Sequence, residues 1–170
     1  MAAPFAVPSD DTTPYPADFE RVVAEVHEMG YDLDVIEKER AAGAVFDRVP
    51  FLVSFDGAGR FLSIRAMWDT GLTPESSLQQ IFAAADNWNR EKYFPTVYSM
   101  PDEVDSVQVC ADFVVDTAAG ISKAQLRDAI GAGISTGIEA ITYMKQCASQ
   151  TLGWVDPQDD ELATKDPSDA

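Results

Sequence analysis

Residues 49–68 read VPFLVSFDGAGRFLSIRAMW, and this stretch decides the fold class. Val49, Phe51, Val53 and Phe55 recur at every second position before the Asp56-Gly57-Ala58-Gly59 segment, and Leu62, Ile64, Ala66 and Trp68 do so after it. A period of two places each set on one face of a strand. The aspartate and glycines between them predict a hairpin turn. Two antiparallel strands follow, each with one apolar face. Pro50 has no amide donor, so its strand either lies on an edge or is bulged there.

Upstream, Gly43 opens the run at residues 44–55 that contains the first of these strands. Before it, Tyr31, Leu33 and Val35 alternate with Asp32 and Asp34 and predict another strand. Residues 18–29 carry Phe19, Val22, Val23, Val26 and Met29 at helical spacing, with Asp18 and Glu20 in the first turn and Gly30 as the stop. Downstream, Thr73 and Pro74 are a hydroxyl cap and a first-position proline. They open a helix with a stripe of Leu78, Ile81, Phe82, Ala85 and Trp88 that ends near Arg90. Residues 93–100 predict a fourth strand, weakened by Pro95, and residues 101–105 a turn. Residues 106–116 predict a fifth strand, with Val107, Val109, Ala111, Phe113 and Val115 on one face and Gln108, Cys110 and Asp112 on the other. Ser122 and Gln125 form a capping box, flanked by Ile121 and Leu126 as a hydrophobic staple. The helix that follows reaches about Ser149, a length of about 40 Å. Its small residues Gly133, Gly137 and Ala140 suit close packing, either on the sheet of the same subunit or on a partner helix. The expected class is α+β, a small antiparallel sheet with helices in the order α-β-β-β-α-β-β-α. No βαβ repeat or glycine-rich strand-to-helix loop points to a doubly wound nucleotide fold.

The chain has 170 residues and 46% apolar content, enough for one domain with a core. Residues 1–14 read as a flexible lead-in, 15–155 as a single domain and 156–170 as an acidic disordered tail. There are 29 acidic and 12 basic residues, for a formal charge of −17. Six acids and one base put −5 in the tail, Asp10 and Asp11 put −2 in the lead-in, and −10 remains in the body. Such a surface repels phosphate backbones and anionic headgroups. Neither nucleic acid nor membrane is an expected partner; a protein is. With no basic, apolar leader and two isolated cysteines, Cys110 and Cys147, the expectation is a cytoplasmic protein with reduced thiols.

The residues offer little chemistry. His27 is the only histidine and sits on a solvated helix face, so a histidine-rich metal site or a Ser-His-Asp triad would depend on it alone. Asp32, Asp34, Glu37 and Glu39 lack the glycine and spacing of a calcium loop. No cofactor, metal or catalytic residue is expected. Asp112 lies mid-strand: were its face buried it would need Arg65 or Arg127 as a partner, and were the face open it would join Gln108 in a polar sheet surface. Trp88 and Tyr93 bracket two bases at a helix exit. They either line a groove or, for Trp88, anchor the helix, with Phe94 entering the core. Trp88, Tyr93, Gln108, Asp112 and Arg65 are therefore the candidate partner or ligand surface. The alternative to protein binding is a small-molecule or enzyme pocket between the sheet and the last helix, lined by Gln108, Asp112 and Arg65.

Asn87-Trp88-Asn89 followed by Tyr93-Phe94-Pro95-Thr96-Val97-Tyr98 is similar to the signature of the YbjN domain family. So is the later strand at residues 107–115 leading into a long amphipathic helix. The resemblance covers residues 15–150. It implies a sensory transduction regulator with a fold like that of type III secretion chaperones: a dimer that binds an extended client segment and consumes no ATP. The family supplies no catalytic residues to carry over.

Overall fold

The computed structural model describes residues 5–101 and 104–159. The elements are α1 (Phe19–Glu28), β1 (Asp34–Glu37), β2 (Ala41–Phe46), β3 (Val49–Phe55), β4 (Phe61–Asp69), α2 (Pro74–Glu91), β5 (Thr96–Pro101), β6 (Val107–Asp116) and α3 (Lys123–Leu152). The six strands form one antiparallel sheet in the order β1-β2-β3-β4-β6-β5. The α+β class and the β3–β4 hairpin agree with the sequence reading.

There is one strand more than expected. The run at residues 44–55 is not continuous: Asp47 and Arg48 turn the chain with φ of 48° and 64°, the left-handed pair of a two-residue hairpin. The flanking Val45, Phe46 and Val49 hide this turn in the apolar pattern. β1 also starts later than expected, at Asp34, which leaves Tyr31 and Leu33 outside it. Pro50 lies in an interior strand, neither on an edge nor at a bulge. It faces Val45, next to the hairpin pair Phe46–Val49, while pairing with β4 begins only at Phe51. In a two-residue hairpin that position turns its nitrogen away from the β2 partner, so no ladder bond is lost.

One face of the sheet holds the core. Val49, Phe51, Val53, Phe55, Leu62 and Ile64 are buried on it, and α3 crosses it at close range. A Cβ added to Gly133 would come within 2.9 Å of Ile64, and one added to Gly137 within 2.9 Å of Phe51. The small-residue stripe therefore packs on the sheet of its own subunit. The capping box is formed as read, with Gln125 N donating to Ser122 Oγ at 3.1 Å and Ser122 N to Gln125 Oε1 at 3.0 Å. Thr73 does stand at the start of α2, but its hydroxyl meets Ser76 Oγ at 2.9 Å and caps no amide. The buried stripe of α2 is Ser77, Ile81, Ala84, Ala85 and Trp88, with Phe82 turned out to solvent.

α1 is fastened to α3 by charge. The buried Glu25 pairs with Arg127, and Glu28 pairs with Lys123 at 2.7 Å. Both chain ends have ordered contacts within the described residues. Asp10 accepts from the amides of Thr12 and Thr13 at 2.8 Å, and Tyr15 bridges to Ile121. Trp154 donates to Thr70 O at 3.0 Å, and Asp156 meets Lys145 at 3.1 Å. The rest of the expected flexible ends, residues 1–4 and 160–170, and the middle of the expected turn at 101–105 lie outside the described residues.

Candidate functional site

Among the described residues, none of α1, α2 and α3 covers the second face of the sheet. Its periphery is apolar: Ile36 and Val45 are 69% and 68% exposed, and Phe61, Met100 and Val114 are exposed as well. Its centre is polar. The register sets Arg65 opposite Asp112 across β4 and β6, and Thr96 and Tyr98 of β5 beside Asp112 and Cys110. Arg65 Nε donates to Asp112 Oδ1 at 2.7 Å and Arg65 Nη2 to Oδ2 at 3.0 Å. Tyr98 Oη donates to Oδ2 at 2.8 Å and Ser63 Oγ to Oδ1 at 3.2 Å. The side chains of Asp112 and Arg65 are 15% and 29% exposed. Bidentate geometry and partial burial make this a strong, fixed pair.

The surroundings hold Arg65, Tyr98 and Cys110 in their protonated forms. The hydrogen bonds to Asp112 raise the Arg65 pKa above its ordinary value. Burial, with the bond to Asp112 second, raises that of Tyr98, so the phenol keeps its proton. Burial also raises Cys110, whose thiol meets Gln108 Oε1 at 3.7 Å. A thiol kept protonated is a poor nucleophile. The cluster suits recognition: it presents a rigid charge pattern in the middle of an apolar rim.

Of the five candidate residues, Arg65, Asp112 and Gln108 share this open face. They do not line a pocket between the sheet and α3, because the alternation places them on the side away from the helix. Trp88 belongs to neither group. It is buried, its indole N–H donates to Pro95 O at 3.0 Å, and it packs on Tyr143, so it anchors α2. Tyr93 is fully exposed at the exit of α2, and Phe94 remains half exposed against Phe113 and does not enter the core. Arg127 serves Glu25, not Asp112. Sequence reasoning missed Ser63 and Tyr98, although each shares the strand parity of its neighbour in the cluster.

A second feature lies at the β1 end. A trough of about 430 Å³ separates α1 from β1, floored by Phe19, Val23, Leu33 and Val35. A smaller hollow of about 260 Å³ continues it past Phe19 and Glu39 toward Phe55. His27 stands on the rim of the larger trough, with Nδ1 2.9 Å from Asp32 Oδ1 and both side chains exposed. Among the described residues no three His, Cys, Asp or Glu side chains converge as metal ligands, and no helix is long and apolar enough to cross a membrane.

Residues 18–146 match the YbjN family, described as "Putative bacterial sensory transduction regulator". The crystal structure of YbjN from E. coli is similar with a TM-score of 0.61 at 11% identity, over 85% of this chain and 100% of that one. An uncharacterized protein from Methanothermobacter thermautotrophicus gives 0.51 at 13% identity, over 75% and 96%. The Yersinia pestis type III secretion chaperone SycH, solved with a fragment of YscM2, gives 0.41 at 13% identity, over 71% and 97%, a likeness too slight to carry an argument. No curated protein sequence matches the chain.

Proposed function

The chain belongs to the YbjN family, and from that premise we propose that it is a non-catalytic, cytoplasmic regulator that acts as a homodimer by binding an extended segment of a client protein. The observation that carries this reading is the unequal covering of the sheet. Among the described residues one face is closed by α3, while the other, together with the outer side of β1, is open and bears exposed apolar strand residues. Such an edge accepts a strand through backbone hydrogen bonds, and alternate side-chain contacts select the sequence. The Arg65–Asp112–Tyr98 cluster adds a rigid polar reference point to that surface, with Gln108 beside it. The formal charge of −17 favours a protein over a phosphate backbone as the partner. The free thiols of Cys110 and Cys147, on opposite sides of the sheet, agree with a reducing compartment.

Two measurements test this. Light scattering is expected to give a mass near twice the 18.5 kDa of the chain; a monomer mass at micromolar concentration would remove the dimer. Proteins co-purified with the full chain are compared with those retained by the Ile36→Lys, Val45→Lys variant. Loss of the same protein from the variant is expected, and identical recovery would show that the open face is not the binding surface.

A further inference from the structure

Resting on the reading that a client strand adds to this sheet, we infer that it does so at β1, in the trough beside α1, and that the segment alternates basic and apolar residues. The geometry selects the edge. β1 pairs only with β2, so the other side of its backbone has no strand partner among the described residues. All four of its residues are exposed, including Val35 at 57%. A strand laid along β1 would send every second side chain into the trough, over Phe19, Val23 and Val35. The intervening side chains would emerge on the open face, beside Ile36, whose Cδ1 already lies over Gly43. The two hollows share Phe19 and Glu39 and together reach from Leu33 beside β1 to Phe55 at the end of β3.

The charge selects the chemistry. Glu20, Asp32 and Glu39 stand around the larger hollow, and Asp18 and Asp56 beside the smaller one. Asp34 and Glu37 belong to the strand itself. The bases in this set are His27, 2.9 Å from Asp32, Lys38, 3.9 Å from Glu39, and Arg40, 3.4 Å from Glu37, fewer than the acids around them. Apolar contact in the floor and attraction at the rim are both satisfied by a strand of alternating apolar and Lys or Arg residues. An acidic or neutral strand of the same shape would meet like charge or gain nothing there.

The test is fluorescence anisotropy on the full chain with two labelled ten-residue peptides, one alternating Val and Lys, the other Val and Glu. Tighter binding of the lysine peptide by tenfold or more is expected, weakening as salt is raised. Two variants locate it. Val35→Pro removes an edge amide, and Glu20→Gln, Asp32→Asn, Glu39→Gln changes only exposed side chains and leaves the fold intact. The first is expected to abolish binding of the lysine peptide, and the second to weaken it at least fivefold. Equal binding of the two peptides would overturn the charge preference and leave edge addition standing. Binding of neither would overturn both. Lysine-peptide binding unchanged in both variants would mean attachment elsewhere on the acidic surface and would also overturn the inference.

Discussion

Gly131 and Gly137 lie six residues apart in α3, yet alanine at the two positions is expected to act with opposite sign. Glycine in a helix interior costs about 1 kcal/mol relative to alanine, chiefly through backbone entropy. At Gly131 a new Cβ meets nothing within 4 Å, so Gly131→Ala should recover that amount. At Gly137 the Cβ would lie 2.9 Å from Phe51 Cε1 and 3.0 Å from Ala66 Cβ. The Phe51 ring is buried, and the Ala66 methyl is fixed to the β4 backbone, so α3 itself must lift. Overpacking of this kind costs about 2–3 kcal/mol, leaving Gly137→Ala less stable than the native chain by about 1–2 kcal/mol after the helix gain. For a chain of this size each kcal/mol moves Tm by about 2–4 °C. Thermal melts followed by circular dichroism should therefore separate the two variants by at least about 4 °C, Gly131→Ala above the native protein and Gly137→Ala below it. Equal stabilisation by both would show that α3 does not rest on the sheet at Gly137.

Asp112→Ala leaves Arg65, Tyr98 and Ser63 without their acceptor and is expected to cost about 2–3 kcal/mol in urea unfolding; a double cycle with Arg65→Met should show coupling, and simple additivity would deny the pair. Asp116 is held at about 2, below its ordinary 3.8, first by the hydrogen bond from Arg60. A depressed carboxyl contributes stability that is present above pH 3.8 and lost as pH falls through about 2. An NMR titration of Asp116 should thus find its midpoint near 2, and a midpoint at or above 3.8 would refute the pairing. Native protein treated with a thiol reagent at pH 8 should react at the half-buried Cys147 well before the buried Cys110, whose thiol burial keeps protonated; equal rates would contradict that burial.

How much of this was legible depended on whether the information was local. The β3–β4 hairpin, the capping box of α3 and the glycine stripe are short-range patterns, and each was readable. The Asp47–Arg48 turn was not, because Asp47 is followed by Arg48, which is not a usual carrier of positive φ, where a glycine would mark the turn, and apolar residues continue on both sides. The stripe of α2 departs from the expectation at Phe82 because the helix buries the small Ser77 and Ala84 and leaves the larger Phe82 in solvent, so size alone does not mark the buried face. At the site, strand parity separated Asp112 and Gln108 from the core side chains. Choosing between Arg65 and Arg127 required knowing that β4 neighbours β6, a non-sequential pairing that no local pattern encodes. The trough was invisible for the same reason: α1 and β1 are each readable, but the gap between them is a tertiary fact.

The acidity of β1 bears on the proposed dimer as well as on the proposed client. An exposed edge strand invites pairing with its own copy, and short length, a bulge and charge are the usual defences. β1 has all three: four residues, a register shift between Val35 and Glu37, and Asp34 and Glu37 within it. Two copies joined edge to edge would set these carboxylates against one another, and like charges facing across strands are destabilising. The same charges would attract the basic strand proposed above, so one feature would both discourage self-pairing and select the client. The dimer seam should then lie away from β1. Val35→Pro, expected to abolish peptide binding, should leave the light-scattering mass near twice 18.5 kDa. A Val35→Pro protein that retains its helical circular dichroism but scatters as a monomer would place the seam on β1, and the trough would then be closed to a client in the native dimer.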